Sequence, residues 1–142
     1  ERRVSDWFLP NIKRIIFHLE AAKDVDFVIA KCREAGKEVG LAINPETSWT
    51  RLFPYFGKVD MFQILGVRPG LAGQKINEEV LHKIEEVRKN CPSCIIEADG
   101  GVNAENAKKI TLAGANLLAA ASAIFNADDI GQAIENLKLA DK

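Results

Sequence analysis

The sequence is poor in what nucleic-acid-binding and membrane proteins need. Its 142 residues carry 19 Lys and Arg against 20 Asp and Glu, a formal net charge of −1. With no basic stripe, the counterion release that drives binding to a phosphate backbone has no source, so no nucleic-acid partner is expected. Long apolar runs are also missing. The longest, such as Leu117–Ile124, include Ser122 and fall far short of the roughly 20 residues of a membrane-spanning helix, so no membrane partner is expected either. The stretch Glu1-Arg2-Arg3-Val4-Ser5-Asp6-Trp7 lacks the apolar centre of a signal peptide, so a cytoplasmic protein is expected, and it does not begin with Met, which leaves room for a missing N-terminal portion. Cysteine is scarce: Cys32, Cys91 and Cys94 suit a reducing cytosol better than a disulfide framework. Cys91-Pro92-Ser93-Cys94 has the CxxC spacing, but a redox pair should open a helix and a zinc site should have a second ligand pair elsewhere. Cys94 instead leads into Ile95-Ile96, so a loop cysteine followed by a buried strand cysteine is expected. Linkers and low-complexity tracts are missing too. A composition of 47% hydrophobic and 27% charged residues over this length is that of one domain spanning residues 1–142.

What is present is an alternation of short apolar runs with amphipathic segments. Arg14–Leu19 reads as a β-branched and aromatic strand. It is followed by a helix over Asp24–Ala35, with Val25, Val28, Ile29 and Cys32 on one face and Gly36 where a left-handed cap is wanted. Val39–Ile43 is a second strand, ended by Asn44-Pro45, and Thr47 or Ser48 can cap a helix carrying Leu52, Phe53 and Phe56. Val59–Val67 is a third strand that runs into the glycine-rich Arg68–Gln74. Asn77 opens a helix to Asn90 with Val80, Leu81, Ile84 and Val87 at helical spacing, and His82 is expected on its surface. Cys94–Ala98 is a fourth strand, Ala104–Ala113 a helix ending at Gly114, Asn116–Ala121 a fifth strand, and Asp128–Leu139 the closing helix with Ile130, Ala133, Ile134 and Leu137 inward. Continuous apolar strands predict a parallel sheet covered on its faces, and βα units of this length predict right-handed crossovers.

The pattern leaves two α/β architectures open. Five βα units match a flavodoxin-like doubly wound sheet in size, whereas a complete (β/α)₈ barrel typically takes about 250 residues. In either one the functional edge is the carboxyl end of the strands, where His18, Glu20, Asn44, Arg68–Gln74, Asp99–Gly101 and Ala121-Ser122 fall. Asp99 is the strongest single candidate. A carboxylate that ends a buried strand before two glycines can bind a metal or move a proton, and Gly100 and Gly101 let backbone N–H groups approach an anion. An Asp capping the next helix is the alternative, but Asn103 is the more natural cap there. Gly70-Leu71-Ala72-Gly73 can cradle a phosphate, cover a substrate or simply turn the chain. His18 reads as a hydrogen-bonded structural residue, and Arg68 as the partner of an anionic substrate or of a neighbouring carboxylate.

Four blocks in this order resemble the ribulose-phosphate 3-epimerase family. They are Gly40-Leu41-Ala42-Ile43-Asn44-Pro45-Glu46-Thr47, Val67-Arg68-Pro69-Gly70-Leu71-Ala72-Gly73-Gln74-Lys75, Glu97-Ala98-Asp99-Gly100-Gly101-Val102 and Ser122-Ala123-Ile124-Phe125. The resemblance runs from about residue 14 to the C-terminus. It implies a (β/α)₈ barrel that interconverts ribulose 5-phosphate and xylulose 5-phosphate in the pentose phosphate pathway with a divalent metal, Zn²⁺, Fe²⁺, Mn²⁺ or Co²⁺. Two carboxylates on opposite faces of the substrate exchange its proton and, with two histidines, hold the metal. Asp99 matches the second of those carboxylates, Gly70, Leu71, Ala72 and Gly73 the substrate-covering loop, Gly100 and Gly101 the phosphate-facing turn, and Ala121 and Ser122 the phosphate site after the last strand.

Three positions depart from the family pattern. Leu71 stands for a usual Phe and Ala72 for a usual Gly, which leaves an epimerase for another ketose phosphate open. Ala121 stands for a Gly, and its methyl group hinders the close backbone approach a phosphate needs. The first carboxylate and both metal-binding histidines belong to the family's first three strands. On this mapping Glu1–Leu9 is the remnant of the helix after the third strand, and Arg14–Leu19 and Asn116–Ala121 are the fourth and eighth strands. The chain is therefore expected to be an incomplete barrel of about five βα units, inactive by itself. It would act as a complementing or non-catalytic phosphate-binding piece, or associate as a homo-oligomer through its open sheet edges.

Overall fold

The computed structural model describes residues 1–70 and 76–138. Five strands form one parallel sheet: β1 (Arg14–His18), β2 (Glu38–Ile43), β3 (Met61–Leu65), β4 (Ile95–Asp99) and β5 (Leu117–Ala119), in the spatial order β1-β2-β3-β4-β5. That order decides between the two architectures. A doubly wound sheet reverses direction at a switch point, which places helices on both faces. Here each crossover steps to the next strand in the same direction, so right-handed connections deliver every helix to the same face. The fold is an incomplete barrel of five βα units.

The helices are α1 (Val25–Glu34), α2 (Glu79–Asn90), α3 (Ala104–Ala113), α4 (Ser122–Phe125) and α5 (Ile130–Lys138). Asp24 caps α1 by accepting from Phe27 N at 2.9 Å, and Val25, Val28, Ile29 and Cys32 form its buried face. Asn103 caps α3 and Asn106 reciprocates, donors and acceptors being matched at both ends of the turn. Gly114 ends α3 at φ +117°, where only glycine is at ease.

Alternation along the strands divides the sheet into two unlike faces. Ile15, Val39, Leu41, Ile43, Phe62, Ile64, Ile96 and Ala98 pack with the helices into the core. The opposite face carries the register-matched rows Ile16–Gly40–Met61–Ile95 and His18–Ala42–Gln63–Glu97–Leu117, with Leu65–Asp99–Ala119 above them at the carboxyl end. Gly40 belongs to that row for steric reasons, since a Cβ there would sit 2.8 Å from Ile16 Cγ1. Two-sided cover of the sheet, expected from the apolar strands, is met in part, since Ala42, Met61 and Leu65 of this second face are buried. On the helix-free face Ile16, Ile95 and Leu117 are 40%, 37% and 38% exposed.

Other expectations change locally. The segment after β2 is a 3₁₀ helix, Trp49–Tyr55, with Pro54, which has no N–H to donate, in its last turn. Glu1–Leu9 contains a short 3₁₀ turn, Val4–Trp7. Ile130 is 46% exposed, while Ala133, Ile134 and Leu137 are half-buried. Cys91 and Cys94 are joined in a disulfide, and Cys94 lies just ahead of β4 instead of within it. The Pro92-Ser93 turn brings their Cα atoms to 5.4 Å, inside the span a disulfide bridges. Among the described residues no helix is long and apolar enough to cross a membrane.

Candidate functional site

The carboxyl ends of the strands enclose a cleft of about 470 Å³. His18, Arg68, Gly70, Asp99, Gly100, Gly101, Ala121 and Ser122, all singled out in the sequence, line it together. Leu71, Ala72 and Gly73 lie outside the described residues.

The backbone at the β3 and β4 ends is closely apposed. Gly66 N donates to Asp99 O at 2.6 Å, and a Cβ on Gly66 would meet Gly100 O at 2.3 Å. Gly100 turns the chain at φ +93° and Gly101 at φ +74°. A side chain on Gly100 would also strike Val67 Cγ2 at 2.5 Å. These glycines are required by the geometry, and they leave Asp99 at the head of the turn.

Burial pushes the Asp99 carboxyl above its ordinary range, against the opposing pull of the Gly100 N–H and of His18. Gln63 Nε2 donates to Asp99 Oδ2 at 3.3 Å and to Glu97 Oε1 at 2.6 Å. Gln63 and Glu97 were missed as site residues. A signal for them existed: Gln63 interrupts an apolar strand, and Glu97 precedes Asp99 by two, so both point to the face that bears Asp99.

The rim between β1 and β2 is held by Glu20, which accepts from Asn44 N at 2.9 Å and from the Thr47 hydroxyl. Burial raises its pKa, but the Thr47 and Asn44 hydrogen bonds outweigh that and leave it below the ordinary carboxylate value. His18 Nδ1 lies 3.5 Å from Glu20 Oε2, and His18 lines the cleft. Arg68 pairs with Glu46, so of its two expected partners the structure shows a neighbouring carboxylate. Ala121 caps α4, its carbonyl accepting from Ile124 N and Phe125 N, and its methyl stands beside Ser122 at the cleft.

A divalent ion such as Zn²⁺ takes about four ligands. Among the described residues no group of three or more His, Cys, Asp or Glu could hold a metal. Asp99 offers one carboxylate and Glu97 is engaged by Gln63. The described residues therefore do not make a metal centre by themselves.

The family model described as the ribulose-phosphate 3 epimerase family matches residues 1–125. The chain is 34% identical over 122 residues to the ribulose-phosphate 3-epimerase of Schizosaccharomyces pombe, covering 86% of this chain and 54% of that protein. It is 33% identical over 142 residues to the enzyme of the same name from Escherichia coli, covering 97% and 63%. The chain thus spans about half to just under two thirds of the length of the curated relatives it matches. Among solved structures, 3-hexulose-6-phosphate synthase from Salmonella typhimurium superposes with a TM-score of 0.71 at 20% identity, covering 92% of this chain and 62% of that one. This is a likeness of fold. Taken with the sequential parallel sheet and the Asp99-Gly100-Gly101 turn, the match over residues 1–125 shows that the chain belongs to the ribulose-phosphate 3-epimerase family.

Proposed function

We propose that this chain carries the Asp99 half of a cytoplasmic ketose-phosphate 3-epimerase site, acting on ribulose 5-phosphate and xylulose 5-phosphate in the pentose phosphate pathway. The observation that supports it is the position of Asp99, a desolvated carboxylate lining a cleft rimmed by Gly70, Gly100, Gly101, Ala121 and Ser122. A carboxylate whose pKa burial raises is a stronger proton acceptor than an exposed one. The Asp99 carboxylate takes the proton from the carbon beside the ketone, and the C–H electron pair moves into an enediolate. The protonated Asp99 can return that proton only to the face it came from.

Gly100, Gly101, Ala121 and Ser122 receive the phosphate, and Gly70, Leu71, Ala72 and Gly73 cover the sugar. Asp99 would supply one ligand to a divalent metal that polarises the ketone, but the described residues do not supply the remaining ligands, so no step here is assigned to that ion. Inversion needs a second acid on the opposite face of the enediolate. The 142-residue polypeptide by itself therefore binds sugar phosphate without inverting it, as one partial-barrel domain that associates through its sheet edges.

The test uses the purified chain with ribulose 5-phosphate, following amide resonances and product together. Shifts at Gly100, Gly101 and Ser122 without turnover are expected. No shift at millimolar sugar phosphate would sink the binding assignment. Turnover with added Zn²⁺ or Mn²⁺ that Asp99→Asn abolishes would sink the claim of inactivity.

A further inference from the structure

Lys83 is only 3% exposed, on the face of α2 that also buries Val80, Ile84 and Val87. An apolar side chain would fill this position without desolvating an ammonium. Burial lowers the Lys83 pKa, so the charge sits at a cost in this position. What it gains is specific. Nζ donates to Thr47 O at 2.7 Å, to Asn44 O at 3.4 Å and to Pro45 O. An ammonium has three N–H groups, and three converging main-chain carbonyls take them all. Among the described residues no carboxylate lies within ion-pair distance of it.

The carbonyls belong to the loop at the carboxyl end of β2, at the same rim as Asp99. That loop is gripped from its other side by Glu20, which takes the Asn44 N–H and the Thr47 hydroxyl. Between the two anchored points Glu46 reaches Arg68, which with Gly70 lines the Asp99 cleft. We infer that Lys83 is a positioning residue: its buried ammonium acts as a tethered cation that shapes the Asn44–Thr47 loop and, through Glu46 and Arg68, sets the wall of the cleft beside Gly70. Lys83 touches neither the cleft nor any reacting atom. The inference rests on the functional reading only for the meaning of that wall.

The experiment begins with the unaltered chain, labelled uniformly with ¹⁵N so that backbone amides and lysine and arginine side chains are read together. The Lys83 ammonium is expected to exchange with solvent far more slowly than that of exposed Lys108. Equal rates for the two would overturn the inference whatever any variant does. Lys83→Met keeps the apolar bulk and removes the charge. Faster exchange of the Asn44 and Thr47 amides, by about tenfold or more, is expected together with a displaced Arg68 Nε resonance, while α3 amides stay protected. Glu46→Gln should displace Arg68 Nε and leave the Asn44 and Thr47 amides as they were. A Lys83→Met chain that folds and leaves both the loop amides and Arg68 unchanged would overturn the inference. Ribulose 5-phosphate is then titrated into the same samples. Failure of the unaltered chain to bind it counts against the functional reading alone, because the Lys83 and Arg68 signals are read without ligand.

Discussion

From β3, the Gln63 amide bridges two carboxylates of the neighbouring strand β4, with Nε2 2.6 Å from Glu97 Oε1 and 3.3 Å from Asp99 Oδ2. The register that pairs Gln63 with Glu97 and Leu65 with Asp99 brings them together on the face away from the helices. Gln63→Leu leaves the two carboxylates without their shared donor, at a cost of about 1–3 kcal/mol. Gln63→Glu adds a third negative charge and destabilises more. Urea unfolding at neutral pH and near pH 4 checks this: the penalty of Gln63→Glu should shrink in acid as Asp99, whose pKa burial raises, takes up its proton. Equal penalties at both pH values would refute it.

Glu20 supplies a pH dependence of opposite sense to that of a buried unpaired acid. Its folded-state pKa is lowered despite burial, by Thr47, Asn44 and its own backbone N–H. Its contribution to stability is therefore fully present above the unfolded value, about 4.3, and lost as pH falls through the lower folded value. The stability difference between the native chain and Glu20→Gln should be largest near neutrality and close in acid. A pH-independent difference would show that the carboxylate charge is not what the loop uses.

Asn103 accepts from Glu105 N at 2.9 Å and Asn106 N at 3.1 Å, and Asn106 Oδ1 accepts from Asn103 N at 2.9 Å. Asn103→Ala should cost about 1 kcal/mol, as lost N-caps generally do. Chemical denaturation measures it directly. A neutral substitution would mean that water replaces the cap at no cost.

Unpaired edges at β1 and β5, with Ile16 and Leu117 exposed on the helix-free face, should drive self-association. Light scattering is expected to show species larger than a monomer. Ile16→Lys or Leu117→Lys should shift the distribution toward monomer. A well-folded native monomer across the micromolar range would contradict the prediction.

Ala121→Gly removes the methyl beside Ser122 at the cleft. Inorganic phosphate should bind this variant more tightly than the native chain, by calorimetry or amide shifts. Unchanged affinity would place the phosphate elsewhere.

Local chemistry was legible in the residues themselves. The buried face of α1, the Asn103 cap, the Gly114 stop and the Asp99-Gly100-Gly101 turn follow from helical spacing, from side-chain acceptors and from glycine's tolerance of positive φ. The four ordered blocks pointed to the family for the same reason, since each is a short stretch with its own chemistry. What required the tertiary structure were relations between segments distant in sequence. Strand order, and with it the choice of partial barrel over doubly wound sheet, depends on the direction in which each crossover travels, which periodicity does not encode. Lys83 has the look of a solvated helix residue until the β2 loop folds over it and offers carbonyls in place of water. Gln63 meets Glu97 and Asp99 only once β3 and β4 are in register. Sequence by itself determined which residues could do chemistry and where the chain turns; the fold decided which of them stand together, because proximity is set by packing and register.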